Sequence, residues 1–332
     1  MRVAVLGAGS WGTTVASIVT RNADDVVLWA RRPEVAAEIC ADHTNCTYLP
    51  GHTLPSRLRA TADLAEATQT CDLVIVGVPS KGFRAAVTAA APYIRPWVPV
   101  VSLTKGFEPE SLHRMTEVVA DVLPGHPAGI LTGPNLAREI MAGQAAAAVI
   151  SLEDDHVARA LQRLFRSGLF RVYINHDVIG CEVGGALKNV IAIATGMAQG
   201  LEAGDNTRSM IITRGLAELT RLGVAMGGRP ETFAGLAGMG DLLATCISPL
   251  SRNRHVGEQL GRGRALDEII GEMREVAEGV TTSALVLELA GRYDLELPIC
   301  ESISAVVQGR STPNDAFRGL LRRRPGHEAE SD

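Results

Sequence analysis

Aromatic residues are scarce in this 332-residue chain, 4% in all, and charged residues stop at 21%. Hydrophobic residues nevertheless reach 46%. Apolar content carried by Ala, Val, Leu and Gly rather than by rings suits a soluble α/β protein. Cysteine is sparse too. Cys40, Cys46, Cys71, Cys181, Cys246 and Cys300 are scattered, with no Cys-x-x-Cys pair and no secretory leader, which points to reduced thiols in the cytoplasm. Cys40, His43, Cys46 and His52 share one stretch, but their spacing matches no zinc pattern, so no metal is expected. Net charge is only −5 and basic residues form no block, which disfavours nucleic acid as a partner. No apolar run reads as long and pure enough to span a bilayer, and Met1 runs straight into a strand, leaving no room for a targeting segment. A small molecule remains as the favoured partner. At this length one ordinary core does not suffice, and two domains are the natural expectation.

What is present begins at once. Arg2-Val-Ala-Val-Leu6 is a β-branched apolar run, Gly7-Ala-Gly-Ser-Trp-Gly12 follows it, and Thr13 to Arg21 has helical spacing. Strand, glycine turn and helix in that order form the dinucleotide fingerprint in its required context. Gly7 permits the turn, Gly9 lets backbone amides approach a pyrophosphate, and Gly12 lets helix and strand pack closely. The helix start offers unpaired N–H groups to the anion. The second strand, Val26 to Trp29, ends where an NAD-specific enzyme presents an acid to the ribose 2′-hydroxyl; here Arg31-Arg32 stands instead. Two guanidinium groups there suit a 2′-phosphate or the adenine face, so NADP(H) is accepted beside NAD(H).

Further strands follow over Asp72–Pro79 and Val98–Leu103, the second ending in Thr104-Lys105-Gly106. A lysine at the carboxyl end of a central strand points into the crevice where ligands sit. Ile130 to Ala137 repeats the pattern, with Gly133 for close approach and Asn135 beside a helix start, and both are candidate ligand contacts. Ala145–Ile150 and Phe170–Tyr173 read as closing strands around a helix over 155–167, and Asn175-His-Asp177 caps the next helix.

That helix, Cys181 to Gly200, carries apolar residues on nearly every side of its projection and has Lys188 in its middle. A helix apolar all round is buried. A buried ammonium needs a partner, because its transfer out of water unpaired costs more than a domain can spare. Either the lysine threads its stem to solvent, or it is a proton donor at the floor of a site. Beyond it the strand signals stop; 207–225, 230–246, 253–261, 265–277 and 281–291 all read as helices. Gly235 to Asp241 places an acid after a glycine-rich turn, which makes Asp241 the candidate partner of Lys188. Ser251-Arg252-Asn253 precedes a helix and offers a hydroxyl, a guanidinium fork and free amides, a set suited to a phosphate dianion. The expected fold is therefore a Rossmann-type, mostly parallel sheet domain over 1–175 and an all-helical domain over 176–324, with a disordered tail at 325–332.

Taken together, Gly7–Gly12, Tyr48-Leu-Pro-Gly51, Val78-Pro-Ser80, Thr104-Lys-Gly106, Gly133–Ala137, Gly184–Asn189, Gly204–Arg208, Gly240-Asp241 and Ser251–Asn253 resemble the NAD(P)-dependent sn-glycerol-3-phosphate dehydrogenases of bacterial type. The likeness covers nearly the whole chain in order. It implies reversible reduction of dihydroxyacetone phosphate to sn-glycerol 3-phosphate for phospholipid synthesis, with Lys188 as proton donor and acceptor. It implies substrate contacts at Lys105, Gly133, Asn135, Asp241, Ser251, Arg252 and Asn253. Cofactor contacts are implied at Ser10, Trp11, Arg31, Arg32, Lys105, Ala137, Arg252, Val276 and Glu278. Asn135-Leu136 departs from the Ser or Thr followed by Phe that members often carry. A homodimer is compatible with the likeness but not fixed by it. Two other readings share parts of the pattern: a β-hydroxyacid or ketopantoate reductase whose arginine binds a carboxylate, and a nucleotide-sensing module without catalysis. The full motif set weighs against the first, and Lys188, Asp241 and Arg252 together weigh against the second.

Overall fold

A computed structural model describes residues 1–273 and 276–322. The expected tail at 325–332 lies outside the described residues. Two compact units divide the chain, Met1–Glu182 and Val183–Asp332.

The first unit alternates strand and helix. In chain order it contains β1 (Arg2–Leu6), α1 (Ser10–Val19), β2 (Asp25–Trp29), α2 (Pro33–Asp42), β3 (Leu58–Thr61), α3 (Leu64–Thr68), β4 (Leu73–Val76) and α4 (Ser80–Ala90). It continues with β5 (Val100–Ser102), α5 (Met115–Val122), β6 (Ala128–Thr132), α6 (Ala137–Met141), β7 (Ala146–Leu152), α7 (Asp155–Phe165) and β8 (Phe170–Asn175). One eight-stranded sheet results, in the order β3-β2-β1-β4-β5-β6-β7-β8. All neighbours pair parallel except β6 and β7, so the last two strands run against the others. Core clusters lie on both faces of the parallel part, which is why β4 and β5 are buried throughout rather than alternating. Chain order reverses between β1 and β4, and open α/β sheets bind ligands outside the carboxyl ends of the strands at such a point. Strand β3 is absent from the sequence-based reading. Its four residues, Leu-Arg-Ala-Thr, lie at the sheet edge and are half exposed, so they lack the apolar run that marks the central strands.

The 23-residue helix α8 (Val178–Gly200) starts in the first unit and continues into the second. Asp177 caps it, its carboxylate accepting from the Gly180 amide at 2.9 Å. By length and composition α8 is long and apolar enough to cross a membrane, contrary to the sequence-based expectation. With 94% of its apolar window buried inside the protein, it is a core helix.

The rest of the second unit is helical among the described residues: α9 (Asp205–Ala225), α10 (Pro230–Phe233), α11 (Asp241–Ile247), α12 (Arg252–Gly261), α13 (Leu266–Glu272), α14 (Glu278–Arg292), α15 (Pro298–Val307) and α16 (Pro313–Arg322). The helix expected over 230–246 is broken, because a π-helical turn at Leu236–Gly240 separates α10 from α11. The backbone of Gly238 lies against that of Phe233, where an added Cβ would stand 2.2 Å from the Phe233 carbonyl oxygen, and a continuous helix has no such contact. The helix expected over 265–277 stops at Glu272. Helices α15 and α16 were not anticipated. α15 is capped from elsewhere in the chain: the Glu218 carboxylate of α9 accepts from the Ile299 and Cys300 amides at 2.7 and 3.1 Å.

Helices α8 and α12 meet backbone to backbone. A Cβ on Gly196 would stand 2.0 Å from the Arg254 carbonyl oxygen, and one on Gly257 would stand 2.0 Å from that of Ile193. Gly200 and Gly261 repeat the contact one turn on, at 2.3 Å from the Glu258 oxygen and 2.4 Å from the Met197 oxygen. Glycines four apart on each helix thus form two smooth faces that seat the chain beginning with Ser251 against the helix that bears Lys188.

Candidate active site

The glycine turn lies at the sheet's switch point, where open α/β sheets bind ligands. The Gly7 amide donates to the Trp29 carbonyl at 3.0 Å and the Gly77 amide to that of Leu6 at 2.7 Å, which fixes the glycine turn over the ends of β1 and β4. Gly7 has φ 115°, a conformation L side chains rarely adopt. A Cβ on Gly12 would stand 2.0 Å from the Gly7 carbonyl oxygen, so this glycine is required by the protein's own packing. Gly9 differs. Nothing lies within 4 Å of where its Cβ would be, leaving the space beside the start of α1 open to a ligand. Ser10 begins α1, and Trp11 packs on Phe170 with ring centroids 6.4 Å apart.

Three of the residues singled out from sequence carry polar atoms without protein partners. Trp11 Nε1, Arg32 Nη2 and Asn135 Oδ1 are buried atoms that find no hydrogen-bond partner among the described residues. Buried polar atoms are nearly always paired, so these three are free to take a bond from a ligand. Arg31 is exposed at the end of β2, beside Arg32. Lys105 Nζ donates to the Gly133 carbonyl at 3.0 Å, and Asn135 Nδ2 donates to that of Ala147 at 2.9 Å. Ala137 opens α6. The open space at Gly9, the unpaired indole N–H and the two arginines fit a dinucleotide: the turn and α1 for the pyrophosphate, Arg31 and Arg32 for the adenosine end.

The second unit holds a buried lysine and its partners. Gly184 and Lys188 are four residues apart, hence on one face of α8, and Gly184 brings that face within 3.0 Å (added Cβ to oxygen) of the Ala237 carbonyl in the π-helical turn. The turn ends at Asp241, the first residue of α11, where a carboxylate also suits the positive end of the helix. Lys188 Nζ donates to Asp241 Oδ1, and to Thr245 Oγ1 at 2.6 Å. Thr245 in turn donates to the Asp241 carbonyl at 2.6 Å. Lys188 is 5% exposed and Asp241 1%. Leu187, Val190, Ile191 and Leu242 around them are fully buried, so the pair is held in a medium where charge interactions are strong. Burial pushes the neighbouring Cys246 thiol up to about 11, so it adds no charge at neutral pH.

A third group lies at the start of α12. Ser251 caps the helix, its hydroxyl accepting from the Arg254 amide at 3.3 Å. Asn253 donates to Asn189 Oδ1 and accepts from the Gly279 amide, both at 2.9 Å, so one amide ties α12 to α8 and to the start of α14. Arg252 Nη1 donates to the Val276 carbonyl at 2.9 Å, bringing two expected cofactor contacts together beside Glu278, the first residue of α14. Thr245 escaped the sequence reading. Its spacing of four from Asp241 was the available signal, since it puts both oxygens on one helical face.

Family models for the N-terminus and the C-terminus of NAD-dependent glycerol-3-phosphate dehydrogenase match residues 2–158 and 177–318. A relative from Sphingopyxis alaskensis, "Glycerol-3-phosphate dehydrogenase [NAD(P)+] 2", is 61% identical over 99% of this chain and 98% of its own length. A glycerol-3-phosphate dehydrogenase [NAD(P)+] of Mycobacterium avium is 54% identical over 98% of this chain and 96% of its own. Among solved structures, glycerol-3-phosphate dehydrogenase from Coxiella burnetii superposes with a TM-score of 0.93 at 35% identity, covering 97% of this chain and 99% of that one.

Proposed function

The chain belongs to the NAD-dependent glycerol-3-phosphate dehydrogenase family and is an NAD(P)-dependent oxidoreductase acting on a CH–OH group, and we propose that Lys188 is its proton donor and acceptor. The observation that carries this reading is the buried ammonium of Lys188, held by Asp241 and Thr245 and otherwise surrounded by apolar side chains.

Bound nicotinamide supplies the hydride that reduces the carbonyl carbon of dihydroxyacetone phosphate. The carbonyl oxygen then gains negative charge, which the Lys188 ammonium stabilises before giving up a proton to it. Asp241 and Thr245 fix the direction of the N–H bonds, so the donor needs little reorganisation as charge develops. In the oxidative direction Lys188 takes the proton from the hydroxyl of sn-glycerol 3-phosphate. Arg252, with the Ser251 and Asn253 groups at the α12 start, takes the phosphate and aligns the carbonyl. Lys105, Gly133 and Asn135 supply further contacts. Residues Gly7 to Gly12, Arg31, Arg32, Ala137, Val276 and Glu278 hold the dinucleotide. The product is the backbone of phospholipids, which places the enzyme at the entry to their synthesis. The described cysteines, all six of them unpaired, support a cytoplasmic location.

The test is an assay of the purified chain with NADPH and NADH, each against dihydroxyacetone phosphate and ketopantoate. Oxidation of either nucleotide with the phosphate substrate alone is the expected result; turnover confined to the ketoacid would reject the reading.

A further inference from the structure

The motif Tyr48-Leu-Pro-Gly51 takes no part in the chemistry above, yet its tyrosine stands next to Arg32, an arginine with an unpaired buried N–H. The Arg32 guanidinium carbon lies 5.3 Å from the centre of the Tyr48 ring. Its Nη2 finds no partner among the described residues, and its Nε is 3.7 Å from Glu34. We propose that Tyr48 is a positioning residue for cofactor choice: its ring holds the Arg32 guanidinium so that the N–H edge faces the 2′-phosphate of NADP(H). This rests on the reading that the Arg31-Arg32 end of β2 takes the adenosine portion of the dinucleotide.

The backbone that carries the ring is tied down by the protein itself. Asn45, fully buried, donates to the Ala8 carbonyl and to Thr13 Oγ1, both at 2.9 Å, so it is bonded to the glycine turn and to α1. The same residue accepts from the Tyr48 amide through Oδ1 at 3.2 Å and from the Leu49 amide through its carbonyl at 2.8 Å. Leu49 is fully buried in the core beneath. Tyr48 is therefore tied to the turn that takes the pyrophosphate. A cation over a ring uses the face of the guanidinium and leaves its in-plane donors free for an anion. Ordering that long side chain in advance removes part of the cost of binding.

The probes are adenosine 2′,5′-bisphosphate and AMP, titrated calorimetrically into the full chain and into Tyr48→Leu, Tyr48→Phe and Arg32→Ala, with a thermal melt of each. The parent is expected to prefer the bisphosphate. Tyr48→Leu should weaken the bisphosphate about three- to five-fold and leave AMP unchanged, as expected for loss of an exposed cation–π contact. Tyr48→Phe should match the parent for both. If Tyr48→Leu melts without cooperativity, Tyr48→Met fills the same space without a ring face and replaces it. Equal weakening of both probes means the ring serves the adenine or the turn, and overturns the proposal, as does no change in either. Loss of preference in Arg32→Ala alone sinks only the role of Tyr48. Preference retained in Arg32→Ala, or absent from the parent, removes the 2′-phosphate site itself.

Discussion

Lys188 and Asp241 lie 53 positions apart in the chain and form a buried ion pair, closed by Thr245 one helical turn beyond the aspartate. An ion pair at this depth adds little to stability compared with apolar side chains of the same volume, since both ions must leave water. Folding energetics alone therefore give no reason for a charge in the middle of α8, which is in keeping with the proposed proton transfer.

Replacement of Lys188 by Ala should remove turnover, by at least the roughly hundred-fold to ten-thousand-fold range of a general acid, while NADPH binding stays near the parental value. Steady-state kinetics beside a calorimetric titration checks this. Residual turnover within ten-fold of the parent would assign the proton to another group.

Asp241→Ala leaves a buried ammonium without its carboxylate and is expected to cost about 3–5 kcal/mol of folding stability. Removing both charges together, as Lys188→Met with Asp241→Leu, should recover most of that loss yet show no activity. Urea unfolding of the two variants separates the outcomes; a double variant as unstable as Asp241→Ala would mean the pair is structural.

Gly196→Ala and Gly257→Ala each drive a methyl group into a carbonyl oxygen of the opposing helix. Overpacking of this kind typically costs about 1–3 kcal/mol, and backbone atoms cannot turn aside as a side chain can. A lowered unfolding midpoint is expected for both. Gly271→Ala, with nothing within 4 Å of its Cβ position, is the control and should leave the midpoint unchanged or slightly raised.

Bidentate hydrogen bonds from Arg84, at 2.6 and 2.7 Å, hold the Glu108 carboxyl below its ordinary 4.5. The unfolded chain then binds the proton more readily than the folded one. The stabilisation is therefore complete above pH 4.5 and is lost as pH falls through the folded value. Thermal melts from pH 7 to pH 3 should show the parent losing stability more steeply below 4.5 than Glu108→Gln, the two curves converging at the acid end. Parallel curves would contradict the assignment.

Local features of this protein were legible residue by residue. The run Arg2–Leu6 and the glycines after it specify strand, turn and helix start within a dozen positions, and the apolar girth of α8 marks it as a core helix, since both patterns depend only on neighbours in the chain. Lys188 was conspicuous for the same reason: a charge in such a helix must be answered. Its answer was half legible, because the glycine-rich turn before Asp241 is a local signal whereas Thr245 carries none beyond its spacing. The break at Leu236–Gly240, the edge strand β3, the Glu218 cap on α15 and the facing glycines of α8 and α12 were decided by tertiary structure alone. In each of these a backbone group is satisfied, or a side chain excluded, by residues far along the chain. Periodicity and turn chemistry record what a segment does with its own neighbours and hold no information about which distant segment will meet it.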